Sequence, residues 1–414
     1  MKLFASRTLN LAVMAAVCGP VAVAQTGKAA EPLALIRANV LDVRTGRITA
    51  NQTVVLRDGR IEAITSAPAA SGVKTIDIGG RTLVPGLSDA HTHISNFATA
   101  RRALESGVTT VRSSGASLFV DVGLRDLVKA GGLAGPDILA SGYHVRERLA
   151  EEAFISDPSL SDLMGGVRTI ADIRRVVRMN LARGVDWIKI NATERAGTAD
   201  TDPRKQMWNE AEIRAIVEEA ALKGVRVQAH AHGAEGASAA VKAGVASIEH
   251  GTYLTDESLD MMKLKGIAFV PTYSTVIDLA EPGGDYDQPA LILRGQAMLP
   301  RLAEVVRKAH QKGVLIVAGA DTSYGPNSLT RVSHEILNFV KFGMTPIEAI
   351  RTATVNAAIL FKMERSIGAI EAGLEADLIA VAENPLEDVR TLQDPLLIVS
   401  NGRVVLDRLN FGKK

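Results

Sequence analysis

Along the middle of the chain, short unbroken apolar runs alternate with longer stretches in which apolar residues recur every three or four positions. A short apolar run bounded by turn signals suits a strand buried on both faces, and the wider spacing suits a helix packed along one side. Eight such runs stand out: one opening near Val84, then 107–111, 137–140, 185–190, 225–230, 247–250, 267–271 and 314–319. The stretches 209–223 and 301–312 carry helical spacing and run into Gly224 and Gly313, which act as stop signals. This α/β alternation predicts a (β/α)8 TIM-like barrel over 85–366, with its chemistry at the C-terminal ends of the strands. A doubly wound open sheet is the alternative, and the lack of a glycine-rich phosphate loop after the first strand counts against it.

The two ends have a different texture. In 33–83, short alternating segments such as Val54-Val55-Leu56-Arg57 and Arg60-Ile61-Glu62-Ala63-Ile64 flank Asp58-Gly59, a hairpin-turn dipeptide. From about residue 367 the texture returns, with 376–381 and 397–405 as strands and Asn401-Gly402 as a second hairpin turn. The two ends, 25–84 and 367–414, are therefore expected to form one small β-sandwich domain.

At the start, Lys2 and Arg7 precede an apolar run over 9–17 and then Ala22-Val23-Ala24, the layout of a secretory signal peptide cleaved after Ala24. The expectation is a leader over 1–24 and a secreted or periplasmic mature chain. That run is too short to remain as a membrane span, and no later segment has the ~20 continuous apolar residues a span requires. Cys18, the single cysteine, would be the acylated residue of a lipoprotein, but Val17 stands before it where a small residue is favoured, so ordinary cleavage is the preferred reading. Cleavage leaves no thiol, so histidine, carboxylate and lysine must carry any chemistry. Lys+Arg 47 against Asp+Glu 46 supplies no basic field for nucleic acid or an anionic membrane, and a small molecule or peptide is the expected partner.

The first run leads into Asp89-Ala90-His91-Thr92-His93. Side chains at i and i+2 of a strand leave the same face, so His91 and His93 can aim at one metal ion. Lys189, His230, His250 and Asp321 fall at the ends of other predicted strands. Each alone is ordinary, since a strand-end histidine is more often a hydrogen-bonded structural residue. In a closed barrel, however, all these ends face one mouth. His144, Tyr143 and Arg146 follow the third strand, with Arg148 beyond, placed to meet a substrate carboxylate; Tyr273 and Tyr324 follow strands seven and eight and are candidates to line the pocket. His310, in a lysine- and arginine-rich helical pattern, and His334 are not expected as ligands.

Val84-Pro85-Gly86 through His93, Ile188-Lys189, Gln228-Ala229-His230-Ala231-His232-Gly233, Ile248-Glu249-His250-Gly251 and Gly319-Ala320-Asp321-Thr322 together resemble the metal-dependent amidohydrolase superfamily. The similarity is greatest to its Xaa-Pro dipeptidase-like and ochratoxinase-like branch, whose tail signature is matched by Gly343-Met344-Thr345-Pro346 and Asn356-Ala357-Ala358. The resemblance implies two divalent metal ions, with zinc the first choice for histidine and oxygen ligands. It implies His91, His93 and Asp321 at one ion, His230 and His250 at the other, and Lys189 between them as a carbamate formed with CO2. An ammonium has no acceptor and would repel two dications, whereas a carbamate is anionic and bidentate. Two metals so placed would lower the pKa of a bridging water and polarise a carbonyl, with Asp321 as general base and then acid. His232 stands where relatives often carry a tyrosine that polarises the scissile carbonyl, or else supports the site from behind.

The activity implied is hydrolysis of an amide beside a free carboxylate, as in dipeptides, N-acyl amino acids or ochratoxin-like amides, by a homo-oligomer of up to eight chains. A cyclic amide hydrolase, imidazolonepropionase-like or dihydropyrimidinase-like, is the enzyme alternative. A binding protein on the same fold is the alternative of another class.

Overall fold

The structure is a computed structural model that describes residues 32–283 and 286–410. The expected leader, with Cys18 and the Ala24 cleavage site, lies outside these residues. Strands β1 (Leu33–Asp42), β2 (Arg47–Arg57), β3 (Arg60–Thr65), β4 (Lys74–Asp77) and β5 (Thr82–Pro85) open the chain. Strands β6 (Leu87–Thr92), β7 (Val108–Ser113), β8 (Asp137–Leu139), β9 (Trp187–Asn191), β10 (Arg226–Ala231), β11 (Ser247–His250) and β12 (Ala268–Val270) alternate with helices. Strands β13 (Leu378–Val381), β14 (Leu397–Ser400) and β15 (Arg403–Asp407) close it.

The two ends do come together, but as a single eight-stranded sheet rather than the expected two-sheet sandwich. Its order is β15-β14-β13-β5-β1-β2-β3, with β4 also paired to β1. The two chain ends meet where β5 lies antiparallel to β13, Val84 opposite Ile379. Both hairpin turns form as the sequence indicates: Asp58 and Gly59 have φ of 50° and 78°, and Asn401 and Gly402 of 49° and 73°, the pair of positive values a tight two-residue hairpin needs. Leu35, Val54, Leu56, Leu83, Leu378 and Val399 give this sheet a core of its own.

Val84, expected in the first barrel strand, thus belongs to the terminal sheet, and the inner strand starts at Leu87. Gly86 makes the handover. A Cβ there would lie 2.2 Å from Thr109 Oγ1, so only glycine lets the chain cross so close to β7.

The inner strands form two parallel arcs, β6-β7-β8 and β9-β10-β11-β12. A Val145–Ile190 bridge and the Asp186 N–H donating to Ala140 O at 2.8 Å link the arcs. The eighth run, 314–319, is not a regular strand. It meets β12 through a bridge between Phe269 and Ile316, and the other arc through the Ala90 N–H donating to Ala318 O at 3.0 Å and the Asp321 N–H donating to His91 O at 2.8 Å. Asp321, at φ 50°, leaves the extended conformation just where a ladder would continue. Continuous ladders therefore do not run round a full ring.

Helices pack outside the arcs. Glu210–Ala221 starts at an Asn209–Glu212 capping box, and Pro289–Lys312 ends at Gly313 with φ 71°. Val111, Ile188, Ile190, Val227, Ile248 and Phe269 from the strands join Ile173, Ile213, Val241 and Leu302 from the helices in the main core. No helix among the described residues is long and apolar enough to cross a membrane.

Candidate active site

Six of the eight histidines, His91, His93, His144, His230, His232 and His250, line one cavity of about 520 Å3 together with Lys189 and Asp321. They come from the ends of β6, β9, β10 and β11, the segment after β8 and the turn after 314–319. Parallel strands explain the convergence, because every C-terminal end opens on the same side. His250 and Asp321 have left-handed backbones, φ 69° and 50°, a conformation that costs energy in residues other than glycine and recurs at functional sites.

Four of these rings share a pattern. His91 Nδ1 lies 2.8 Å from Glu249 Oε2, His93 Nδ1 3.4 Å from Gly115 O, and His230 Nε2 3.1 Å from Glu194 O. His250 Nδ1 lies 2.7 Å from Thr272 Oγ1, whose own hydrogen goes to Pro271 O at 2.7 Å. In each case one ring nitrogen meets an acceptor and must carry the hydrogen, which leaves the other as a bare lone pair. Burial holds His91 at a pKa of about 4 and His230 and His250 well below the ordinary histidine value, so these rings are neutral at pH 7.

The lone pairs face few donors. His91 Nε2 and His93 Nε2 lie 3.3 and 3.1 Å from Asp321 Oδ1, and Lys189 Nζ is 3.5 Å from His91 Nε2. Burial opposes ionisation of the Asp321 carboxyl, and the nearby Lys189 charge favours it. Lys189 is buried, and burial lowers its pKa to about 8. Donor atoms of His91, His250 and Asp321 lie within 4.8 Å of one another, as do those of His230, His232 and His250. Neutral imidazole lone pairs and a carboxylate gathered this way fit a divalent metal ion.

Behind these rings sits a buried ion pair. Arg112 on β7 and Glu249 on β11 are fully buried, 2.8 Å apart, and Arg112 also donates to Ala90 O at 2.8 Å and Ser247 Oγ at 3.0 Å. Its guanidinium stacks over Trp187 at 4.7 Å. Burial alone would raise the Glu249 pKa, but Arg112 and His91 bring it to about 2, so the anchor of His91 stays ionised.

Residues 82–405 match the amidohydrolase family. The chain belongs to that family. It is 32% identical over 356 residues to the ochratoxinase of Aspergillus niger, covering 76% of this chain and 72% of that one. A solved Xaa-Pro dipeptidase with bound methionine superposes with a TM-score of 0.81 at 29% identity, over 90% of this chain and 99% of the other. The solved structure of the A. niger ochratoxinase gives a TM-score of 0.76 at 27% identity, over 92% and 96%. Within the amidohydrolases the chain therefore sits in the ochratoxinase- and prolidase-like branch, and it is a metal-dependent enzyme acting on amide bonds.

Other predicted site residues of this amidohydrolase fare differently. His232 is buried beside the other rings, stacked 4.7 Å from His250, with its Nδ1 2.9 Å from Thr252 Oγ1. His144 lines the cavity, its Nδ1 2.9 Å from Asn191 Oδ1. Its ring passes so close to Gly115 that a Cβ there would lie 2.1 Å from His144 Cδ2. Tyr143 and Arg146 border a second cavity next door, where the Tyr143 hydroxyl accepts from the Leu118 N–H at 2.7 Å. Arg148 is exposed and lines neither cavity.

Tyr273 and Tyr324 do not line the pocket. Tyr273 packs on Phe342 at 4.7 Å, and the fully buried Tyr324 gives its hydroxyl hydrogen to Asp89 Oδ2 at 2.8 Å. Both follow strand ends but turn outward or downward, because the apolar rings find cover and the hydroxyl of Tyr324 finds a buried acceptor there. Their place is taken by Tyr286 and Arg195, which sequence reasoning missed. Arg195 lies four residues past β9, close enough to the strand-end rule to have been found. Tyr286 arrives from a glycine- and aspartate-rich loop that carries no periodic signal.

Proposed function

We propose that this amidohydrolase is a TIM-barrel enzyme with a binuclear site that cleaves an amide beside a free carboxylate, as in dipeptides and N-acyl amino acids, ochratoxin-like amides included. The observation that carries the reading is the set of bare imidazole lone pairs around Asp321 and Lys189, opening onto a mouth that holds Arg195 and Arg146. His91, His93 and Asp321 would hold one metal, His230 and His250 the other, and Lys189 would join them as a carbamate. Zinc suits this donor set best. When bound, the two ions would supply Lewis acidity and a water of lowered pKa.

The protein's own groups do the rest. Asp321, open to the cavity on one side, accepts the water's proton at a carboxylate oxygen and returns it to the leaving nitrogen. His232 has Thr252 Oγ1 against Nδ1; with that hydroxyl donating, the Nε2 hydrogen points a donor at the substrate carbonyl oxygen. Arg195 and His144 stand at the rim where a carboxylate next to the scissile amide would rest.

The chain's resemblance to prolidases and ochratoxinase favours this over cyclic-amide hydrolysis, although an imidazolonepropionase from Symbiobacterium thermophilum is 24% identical over 395 residues. We place the mature enzyme outside the cytoplasm, as a homo-oligomer. The test is hydrolysis of a library of dipeptides and N-acyl amino acids, beside hydantoins and imidazolones, by metal-analysed protein. Less than about one tightly held metal per chain, or inertness toward every linear amide, overturns the reading.

A further inference from the structure

Two chambers meet at the mouth. The catalytic chamber and its neighbour, about 660 Å3, share a wall built from His93, His144 and Arg195. Past that wall the neighbouring chamber is lined by Ser117, Leu149 and Ala150, and by Arg146, which the catalytic chamber does not contain. Among the described residues no carboxylate lines this second chamber. Neither Arg146 nor Arg195 makes a side-chain hydrogen bond or ion pair among the described residues. Arg146 is half-buried, and burial and the like charge of Arg195 both disfavour its charged form, while Glu152 favours it. A guanidinium placed so, with no carboxylate in contact, is stabilised by any anion that enters.

Substrate geometry distributes the two charges. In a dipeptide the α-carboxylate of the C-terminal residue is one carbon removed from the scissile nitrogen, so it comes to rest near the reacting centre, at the shared wall. The side chain leaves from the same α-carbon and has the second chamber to enter. We propose that the enzyme prefers amides whose C-terminal residue has an acidic side chain, with Arg195 taking the α-carboxylate and Arg146 the side-chain carboxylate. This rests on the reading of the site as one that cleaves amides beside a free carboxylate.

The experiment compares kcat/KM for Ala-Glu, Ala-Asp, Ala-Gln and Ala-Leu with the metal-replete full chain. Ala-Glu or Ala-Asp should exceed Ala-Gln by about tenfold or more, mainly through KM, and the gap should narrow as salt is raised. Arg146→Met should bring the Glu/Gln ratio to within about twofold, and Arg146→Glu should turn the preference toward Ala-Lys. Arg148→Met, at an exposed position outside both chambers, should leave the ratio as it was. Melting temperatures show that each variant is folded. Ala-Gln or Ala-Leu matching the acidic peptides, or a Glu/Gln ratio that survives Arg146→Met, overturns the preference while the amidase reading stands. Failure to cleave any of the four, or any N-acyl amino acid, overturns both.

Discussion

His91 Nδ1 lies 2.8 Å from Glu249 Oε2, and the other oxygen of Glu249 holds the Arg112 guanidinium at 2.8 Å. One carboxylate thus fixes the tautomer of His91 and neutralises a fully buried cation. The two duties can be separated by substitution.

Glu249→Gln has one carbonyl oxygen where the carboxylate served three donors, the His91 ring, the Arg112 guanidinium and the Ser247 hydroxyl, so it cannot serve them all. Leaving the Arg112 charge uncompensated should cost about 3 to 5 kcal/mol of stability, and loosening His91 should weaken metal affinity by about 10- to 100-fold. Adding Arg112→Met should restore much of the melting temperature but not the metal affinity. Recovery of both, by calorimetry and metal titration, would contradict the assignment of His91 as a ligand.

Asp321→Asn keeps the shape of the side chain and removes the base. Turnover should fall by about 10²- to 10⁴-fold while the protein stays folded, as single-turnover assays and circular dichroism would show. Normal turnover in this variant would remove Asp321 from the mechanism.

Lys189→Ala should lose bound metal and at least about a hundredfold of activity. Short carboxylic acids such as acetate or propionate added to this variant should return part of both, because they can occupy the space of a carbamate. Absence of any rescue across a range of acids, with metal supplied, would count against carboxylation.

Asp377, at the start of β13, is buried against Asp137 and Glu375 and accepts from the Asn401 N–H at 2.7 Å. Burial, with those two acids, pushes its pKa to about 8. Its folded pKa lies above the unfolded one, so its contribution to stability is complete below about pH 4 and is lost as pH rises toward 8, by up to about 1.4 kcal/mol per pH unit. Asp377→Asn keeps an oxygen for Asn401 and should flatten that slope, read from melting temperatures between pH 5 and 9. An unchanged slope would mean that other groups set it.

The sequence carried the site better than the sheet. Ligand candidates could be read because each sits at the end of an apolar run, and parallel strands bring such ends together whatever loops intervene. Glu249 was in plain view between Ile248 and His250, yet its role is set by Arg112, 137 positions away and on another strand. The division at Gly86 was invisible because Val84 and Leu87 are equally apolar, and only pairing with β13 or β7 tells them apart. Tyr273 and Tyr324 were misplaced for a related reason: a loop's length says nothing of which buried acceptor will capture a hydroxyl.

The register that sets Pro85 opposite Leu378 joins positions about 290 residues apart, a long loop to close before the contact forms. During synthesis, β5 leaves the ribosome with one flank bare and keeps it so until β13 is made, after every candidate site residue from His91 to Asp321 has already emerged. The active site can therefore be assembled on a body whose seam is still open. The last strands lock it from below, and chains cut short before them would expose the edge of β5 to any strand that could pair with it.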